Sequence, residues 1–161
     1  MGRYRGFAQV EYDYVRERVY PTFDWTTFAE PSPRHLPARP LDKARIALVA
    51  TAGAHLPGQP AFRRGRGGDA GFREIPAPSN ELCFSHVGYD TRRAEADPDV
   101  VFPLPLLRRL AAEGEIGEVA PCVFSFMGYI PETGPLLEES APAVARKLLA
   151  DAVDLVLLVP S

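Results

Sequence analysis

Cysteine is scarce in this chain: Cys83 and Cys122 stand alone and far apart. No CxxC or HxxxH spacing occurs, so a structural zinc site has no support, and at most one disulfide is possible. Both thiols fall in apolar, strand-like surroundings and are expected to act as small buried hydrophobes. Long hydrophobic runs are lacking too. No uninterrupted one is longer than Leu155–Val159, far short of a membrane span. The N-terminus, MGRYRGFAQVEYDYVRERVY, has no apolar core of a secretory signal, and Gly6 stands where a myristoylation motif wants Ser or Thr. Charge of one sign is not in excess: the net charge is −3, which suits neither a nucleic-acid binder nor a solvating acidic tail. These absences lead to the expectation of a soluble, cytoplasmic chain with no nucleic-acid or membrane partner.

What remains is an ordinary globular composition. The 161 residues are 46% hydrophobic and 24% charged, enough for one domain with a real core. Lysine is limited to Lys43 and Lys147 beside sixteen Arg, which reads as codon bias. Thirteen Gly and seventeen Pro exceed the usual share of roughly 12%, so many turns and long loops follow.

Two regions are expected: residues 1–40, a helix with a proline-rich arm, and residues 41–161, an α/β domain. Val10, Tyr14, Val15 and Val19 recur at helical spacing over Val10–Tyr20. Pro21, Pro31, Pro33, Pro37 and Pro40 then exclude regular structure around Phe23, Trp25 and Phe28. Such an arm packs over its own domain or hooks a partner subunit.

Arg45–Thr51 (RIALVAT) is a short aliphatic run of the kind buried at the centre of a parallel sheet. Ala52–Pro60 and the Arg-rich Phe62–Gly71 read as loops, Phe72–Ile75 and Leu82–Ser85 as brief strands, and Asp90–Asp99 as a polar segment. Pro105–Glu113 is a helix ended by Gly114. Val119–Met127 is strand-like and broken early by Pro121. Ser140 is expected to cap a helix running to about Ala152, and Val153–Val159 to be a second buried strand. The fold class is therefore α/β: a three-layer open sheet, at least partly parallel, with flanking helices. The chain stops directly after its last strand, where a βαβ architecture would continue, so the sheet is expected to be incomplete at the C-terminus.

In open parallel sheets, ligands gather beyond the carboxyl ends of the strands. His55 lies just past the first strand and His86 just past another, so the two are candidates to share one site as general acid/base or substrate donor, although loop histidines held by structural bonds are commoner. His35 sits in the arm and is expected to face solvent. Arg63, Arg64 and Arg66 form a small anion patch, suited to a loop that folds over a carboxylate. Without interleaved aromatics they make a poor RNA segment. Ala70 breaks the G-x-G-x-x-G pattern of Gly65–Gly71, which excludes a dinucleotide fingerprint. Of Asp69, Asp90, Asp97 and Asp99, only Asp90 has useful spacing from a histidine, His86, and two ligands do not make a metal site.

Five strings occur in an order that is informative together: RIALVATAGAHLPGQPAF (Arg45–Phe62), SHVGYD (Ser85–Asp90), VVFPLPLLRRLAAEGEIG (Val100–Gly117), FSFMGYIP (Phe124–Pro131) and APAVARKLLADAVDLVLLVPS (Ala141–Ser161). They resemble the N-terminal half of the selenoprotein B family of glycine/sarcosine/betaine and D-proline reductases, over approximately residues 35–161. The resemblance implies a redox residue, selenocysteine or cysteine, just beyond Ser161, which reductively cleaves a carbon–nitrogen bond of a small amino acid or amine. It also implies a partner subunit with a pyruvoyl-type carbonyl, a thiol or dithiol electron donor, and an oligomer. His55 and His86 would line the mouth of the site, with Arg63, Arg64, Arg66 and Asp90 on the substrate. Selenocysteine is encoded by UGA, so a chain ending at Ser161 is expected to be a truncation at a recoded codon. Cys122 and Val123 replace a basic residue and a histidine of the family pattern, and Gly88 replaces a more polar residue. The alternative is a non-catalytic interaction module, complete at Ser161.

Overall fold

The computed structural model of the chain describes residues 2–18 and 35–161. The expected aromatic anchors Phe23, Trp25 and Phe28, with Pro21, Pro31 and Pro33, lie outside the described residues. The chain divides into two units, at His35 and Leu36. In the first, helix α1 spans Gly2–Arg18, starting earlier than the apolar spacing indicates. Its support is polar: Gln9 donates to Asp13 and Arg16 to the Tyr12 hydroxyl, each at 2.8 Å and one turn apart. Its last turn carries Arg16 and Arg18, favourable at the negative end of the helix dipole.

The second unit is the α/β domain. Strand β1 (Arg45–Ala50) forms where the aliphatic run indicates, with Ala47 and Leu48 fully buried. The segment expected as one broken strand is two: β5 (Glu118–Val119) pairs with the start of β1 and β6 (Cys122–Phe126) with its end, both parallel. Pro121 has no N–H to give to the ladder, so the break falls at Ala120–Pro121. Strand β7 (Leu155–Val159) runs parallel to β1 over Ile46–Ala50, and β3 (Phe72–Pro76) pairs antiparallel with β6. The sheet is thus mixed and mostly parallel, as the sequence indicates.

Alternation along the strands sends side chains to two clusters. Ile46, Leu48 and Ala50 join Ile75, Val123, Phe102 and, from α3 (Leu104–Ala112), Leu104 and Leu107. Phe124 and Phe126 join Val49, Phe72 and, from α4 (Ala141–Ala150), Val144 and Leu148. Helices on both faces make the three layers.

Several local expectations are corrected. Ala52–Pro60 is not all loop, because β2 (Ala54–His55) pairs antiparallel with β4 (Cys83–Phe84) as a separate small sheet. The polar segment Asp90–Asp99 contains α2 (Thr91–Ala96), with Asp90 as its N-cap accepting from the Arg92 N–H. Its short length and single buried residue, Ala94, leave almost no apolar periodicity to read. Ser140 does not cap α4: it has helical dihedrals and no capping bond, since a π-helical turn over Leu136–Ser140 leads into the helix. Cys83 and Cys122 are half-buried free thiols, not fully buried ones. β7 is not a buried strand either. It lies against β1 on one side only among the described residues, and Leu158 is 70% exposed. No helix among the described residues is long and apolar enough to cross a membrane.

Candidate functional site

Because β1, β6 and β7 are parallel, their carboxyl ends come to one edge of the sheet. Thr51, Gly128 and Ser161 meet there. Thr51 donates its N–H to the Val159 carbonyl at 3.0 Å, and the Ser161 N–H donates to the Thr51 hydroxyl at 2.8 Å. The small β2–β4 sheet is fastened to the main one: the Ala54 N–H donates to Ser125 Oγ at 2.8 Å and the Gly53 N–H to the Phe126 carbonyl at 2.8 Å. Gly53 has φ +65°, and a Cβ on it would lie 2.1 Å from the Ser85 carbonyl oxygen. Only glycine meets both demands there. This close turn carries the candidate histidines to the strand ends.

His55 is 7% exposed. Its Nδ1 lies 3.0 Å from the Leu56 carbonyl, which only accepts, so Nδ1 carries the proton. Nε2 is then an acceptor, and Ser85 Oγ donates to it at 3.1 Å. His86, the next residue, has the opposite tautomer. The Gly88 N–H donates to its Nδ1 at 2.9 Å, which leaves the proton on Nε2. Nε2 is buried and has no hydrogen-bond partner, the sole such side-chain atom among the described residues. The ring stacks on Tyr89 at 4.4 Å, and the Tyr89 hydroxyl donates to the Ala52 carbonyl at 2.6 Å. Burial holds the His86 pKa below its ordinary value and pushes Tyr89 up to about 12. Both side chains are therefore uncharged at neutral pH. The structure links the two histidines through Ser85, which bonds His55 and immediately precedes His86.

The Arg-rich loop is held from within. Asp69 accepts from the Arg63 N–H, the Gly71 N–H and the Arg73 guanidinium at 3.0–3.3 Å. Desolvation would raise its pKa, but those bonds and the Arg73 charge outweigh it and hold the carboxyl below its usual range. Arg73 also stacks on Phe62 at 4.1 Å. Gly68 packs on the loop after β6, where a Cβ would lie 2.5 Å from the Tyr129 carbonyl. The side chains of Arg63, Arg64 and Arg66 are exposed at the surface of this anchored loop.

Asp90 is placed as a helix cap and grips Arg92 at 2.7 Å, which holds its pKa at about 2. It borders a cavity of about 330 Å³ shared with Tyr89, Arg93 and Val100. Asp97 and Asp99 bond backbone N–H groups of Asp99 and Leu106. Each of these acids thus has a local structural bond, and no group of three His, Cys, Asp or Glu is arranged to hold a metal among the described residues. Cys122 lies on the α4 face beside Glu74, and burial and that carboxylate raise its pKa. Sequence reasoning missed Ser85, Tyr89, Gly128 and Arg73. SHVGYD contains the first two, but nothing in the string tells which side chain points inward.

The family model described as Glycine/sarcosine/betaine reductase selenoprotein B matches residues 12–161. A D-proline reductase subunit gamma from Acetoanaerobium sticklandii is 39% identical over 115 residues, 70% of this chain and 47% of that protein. A glycine reductase complex component B subunit gamma from Carboxydothermus hydrogenoformans is 31% identical over 156 residues, 91% of this chain and 33% of that protein. A betaine reductase complex component B subunit beta from Peptoclostridium acidaminophilum is 31% identical over 132 residues, 76% of this chain and 29% of that protein. The chain spans less than half the length of these relatives. No solved structure matches it. With a match over nearly its whole length, the chain belongs to the selenoprotein B family of glycine/sarcosine/betaine reductases.

Proposed function

We propose that this chain is part of a subunit of a thiol- or selenol-dependent reductase complex that cleaves a carbon–nitrogen bond of a small amino acid or amine. Two electrons and a proton reach the carbon, the nitrogen leaves as an amine or ammonia, and a dithiol or selenol–thiol pair is oxidised to the disulfide or selenenyl sulfide. The redox residue follows Ser161, a small-molecule or protein dithiol re-reduces it, and a pyruvoyl-bearing partner subunit activates an amino-acid substrate. Family membership supports the reaction class. The observation that carries the reading is the orphaned, buried His86 Nε2 at the carboxyl end of the parallel strands, beside Ser161.

His55 and His86 line the site in opposite tautomers, one bound to Ser85 and one with a donor to spare. Arg63, Arg64 and Arg66 take the substrate carboxylate, on a loop that Asp69 keeps in place. Asp90 takes the substrate's ammonium at the rim of the neighbouring cavity. The test is dithiol-dependent release of amine or ammonia from D-proline, glycine, sarcosine and betaine by the complex purified from its own host. Turnover of at least one, with KM raised about tenfold by Arg64→Ala and Arg66→Ala together, is expected. No turnover of any of the four overturns the reading.

A second reading has its own support. β7 presents Val156, Leu157 and Leu158 at 39–70% exposure, an apolar strand such as an interaction module uses to pair with another chain. Aggregation of the 161-residue chain, or its failure to fold cooperatively by itself, overturns it.

A further inference from the structure

We infer that His86 is a fixed, uncharged hydrogen-bond donor that positions an anionic sulfur or selenium atom at the carboxyl end of β7. The inference rests on the preceding reading, in which a thiol or selenol follows Ser161, and it assigns His86 a role that an acid or base would not fill.

The tautomer comes first. Gly88 N–H occupies Nδ1 at 2.9 Å, so protonating the ring a second time would break that bond as well as bury a charge. The ring is held in one orientation by Tyr89 stacked at 4.4 Å and 28°, itself tied to the Ala52 carbonyl. Tyr89 is also the titratable side chain packed on the imidazole, and it stays neutral. The donor is therefore a neutral Nε2–H that neither turns away nor readily becomes an imidazolium.

Direction comes second. Gly128 lies between His86 and the end of the chain: a Cβ on it would sit 2.4 Å from His86 Nε2 and 2.5 Å from the Ser161 carbonyl oxygen. Glycine is thus what lets three loops close on one point, and the peptide leaving Ser161 begins beside the orphaned N–H. A buried donor with no acceptor costs on the order of 1–3 kcal/mol, and native structures rarely keep one without a use. In the preceding reading, the side chain of the residue after Ser161 supplies that acceptor. A thiolate or selenolate there would be stabilised by the bond and, because the donor is neutral and poorly acidic, would not be quenched by proton transfer.

The experiment is alkylation by iodoacetamide as a function of pH, on the native protein from its own host and on His86→Gln and His86→Phe. The labelled residue is located by peptide mass. Gln keeps an N–H close to the position of Nε2, whereas Phe keeps the ring without it. The ionisation midpoint is expected to rise by about one pH unit in the Phe variant and by less in the Gln variant. Equal midpoints in all three proteins overturn the inference while leaving the reductase reading intact. A peptide showing neither cysteine nor selenocysteine after Ser161 overturns both. Should the Phe variant fail to fold, the Gln comparison and the ring nitrogen shifts of His86 in the 161-residue protein decide it. A proton on Nε2 is expected there, and one on Nδ1 overturns the inference.

Discussion

Ser85 Oγ donates to His55 Nε2 across 3.1 Å in a site where both residues are less than a tenth exposed. The pair locks β2 to the segment after β4 and fixes the His55 tautomer, since Nδ1–H is committed to the Leu56 carbonyl. Replacing Ser85 by Ala leaves a buried imidazole nitrogen without its donor. The expected loss is roughly 1–3 kcal/mol, read as a lower urea midpoint with an unchanged slope.

Gly128→Ala tests the crossing of loops at the strand ends. The new methyl would stand 2.4 Å from His86 Nε2, so the ring or the Ser161 segment has to move. A destabilisation of about 1–3 kcal/mol is expected, together with altered ring nitrogen shifts for His86. Gly58→Ala, in open space on the surface, serves as the control and should leave both unchanged.

The two long helices of the domain end alike, but with different residues. After α3, Gly114 takes φ +77°, with its own N–H and that of Glu115 closing on the Ala111 and Leu110 carbonyls. After α4, Ala152 takes φ +51°, and its N–H and that of Val153 close on the Leu149 and Leu148 carbonyls. This is a Schellman ending in which alanine stands where glycine is unstrained. Ala152→Gly is expected to stabilise the chain by about 0.5–1 kcal/mol, seen as a higher melting temperature.

Acid should weaken the fold through His86. Its folded pKa is lowered by burial, so the unfolded chain takes up the proton first, near 6.5. The contribution is complete above that pH and is lost as pH falls toward the folded value, at no more than about 1.4 kcal/mol per pH unit. Urea midpoints measured from neutral pH down to about pH 5 should fall for the native sequence and fall less steeply for His86→Phe.

Much of the fold is legible in the sequence because the strongest elements rest on local pattern. RIALVA gives β1, and the Leu106–Leu110 spacing and Gly114 give α3; His86 follows β4, whereas His55 lies within β2, a strand the sequence did not show. Leu82–Ser85 also announces β4, but elements with little apolar content were not legible: β2 is two residues long, and α2 has a single buried residue behind its Asp90 cap. β7 shows the reverse error. Its apolar run reads as a central strand, but pattern reports what a strand is able to bury and not what covers it. At the site, side-chain identity pointed to His55, His86 and the Arg63–Arg66 loop. The tautomers, the Ser85 bond and the orphaned Nε2 depend on contacts between loops far apart in sequence, and no spacing rule carries them.

The proposed reductase needs a redox residue joined to this chain at the end of β7. Its most direct test is the intact mass and selenium content of the protein from its own host, read with the codon after Ser161. An open frame that continues with a selenocysteine (UGA) or cysteine codon, and a product heavier than 17.7 kDa, with selenium in the UGA case, is the result expected. A UAA or UAG codon there, with a mass equal to the 161 residues, would contradict it.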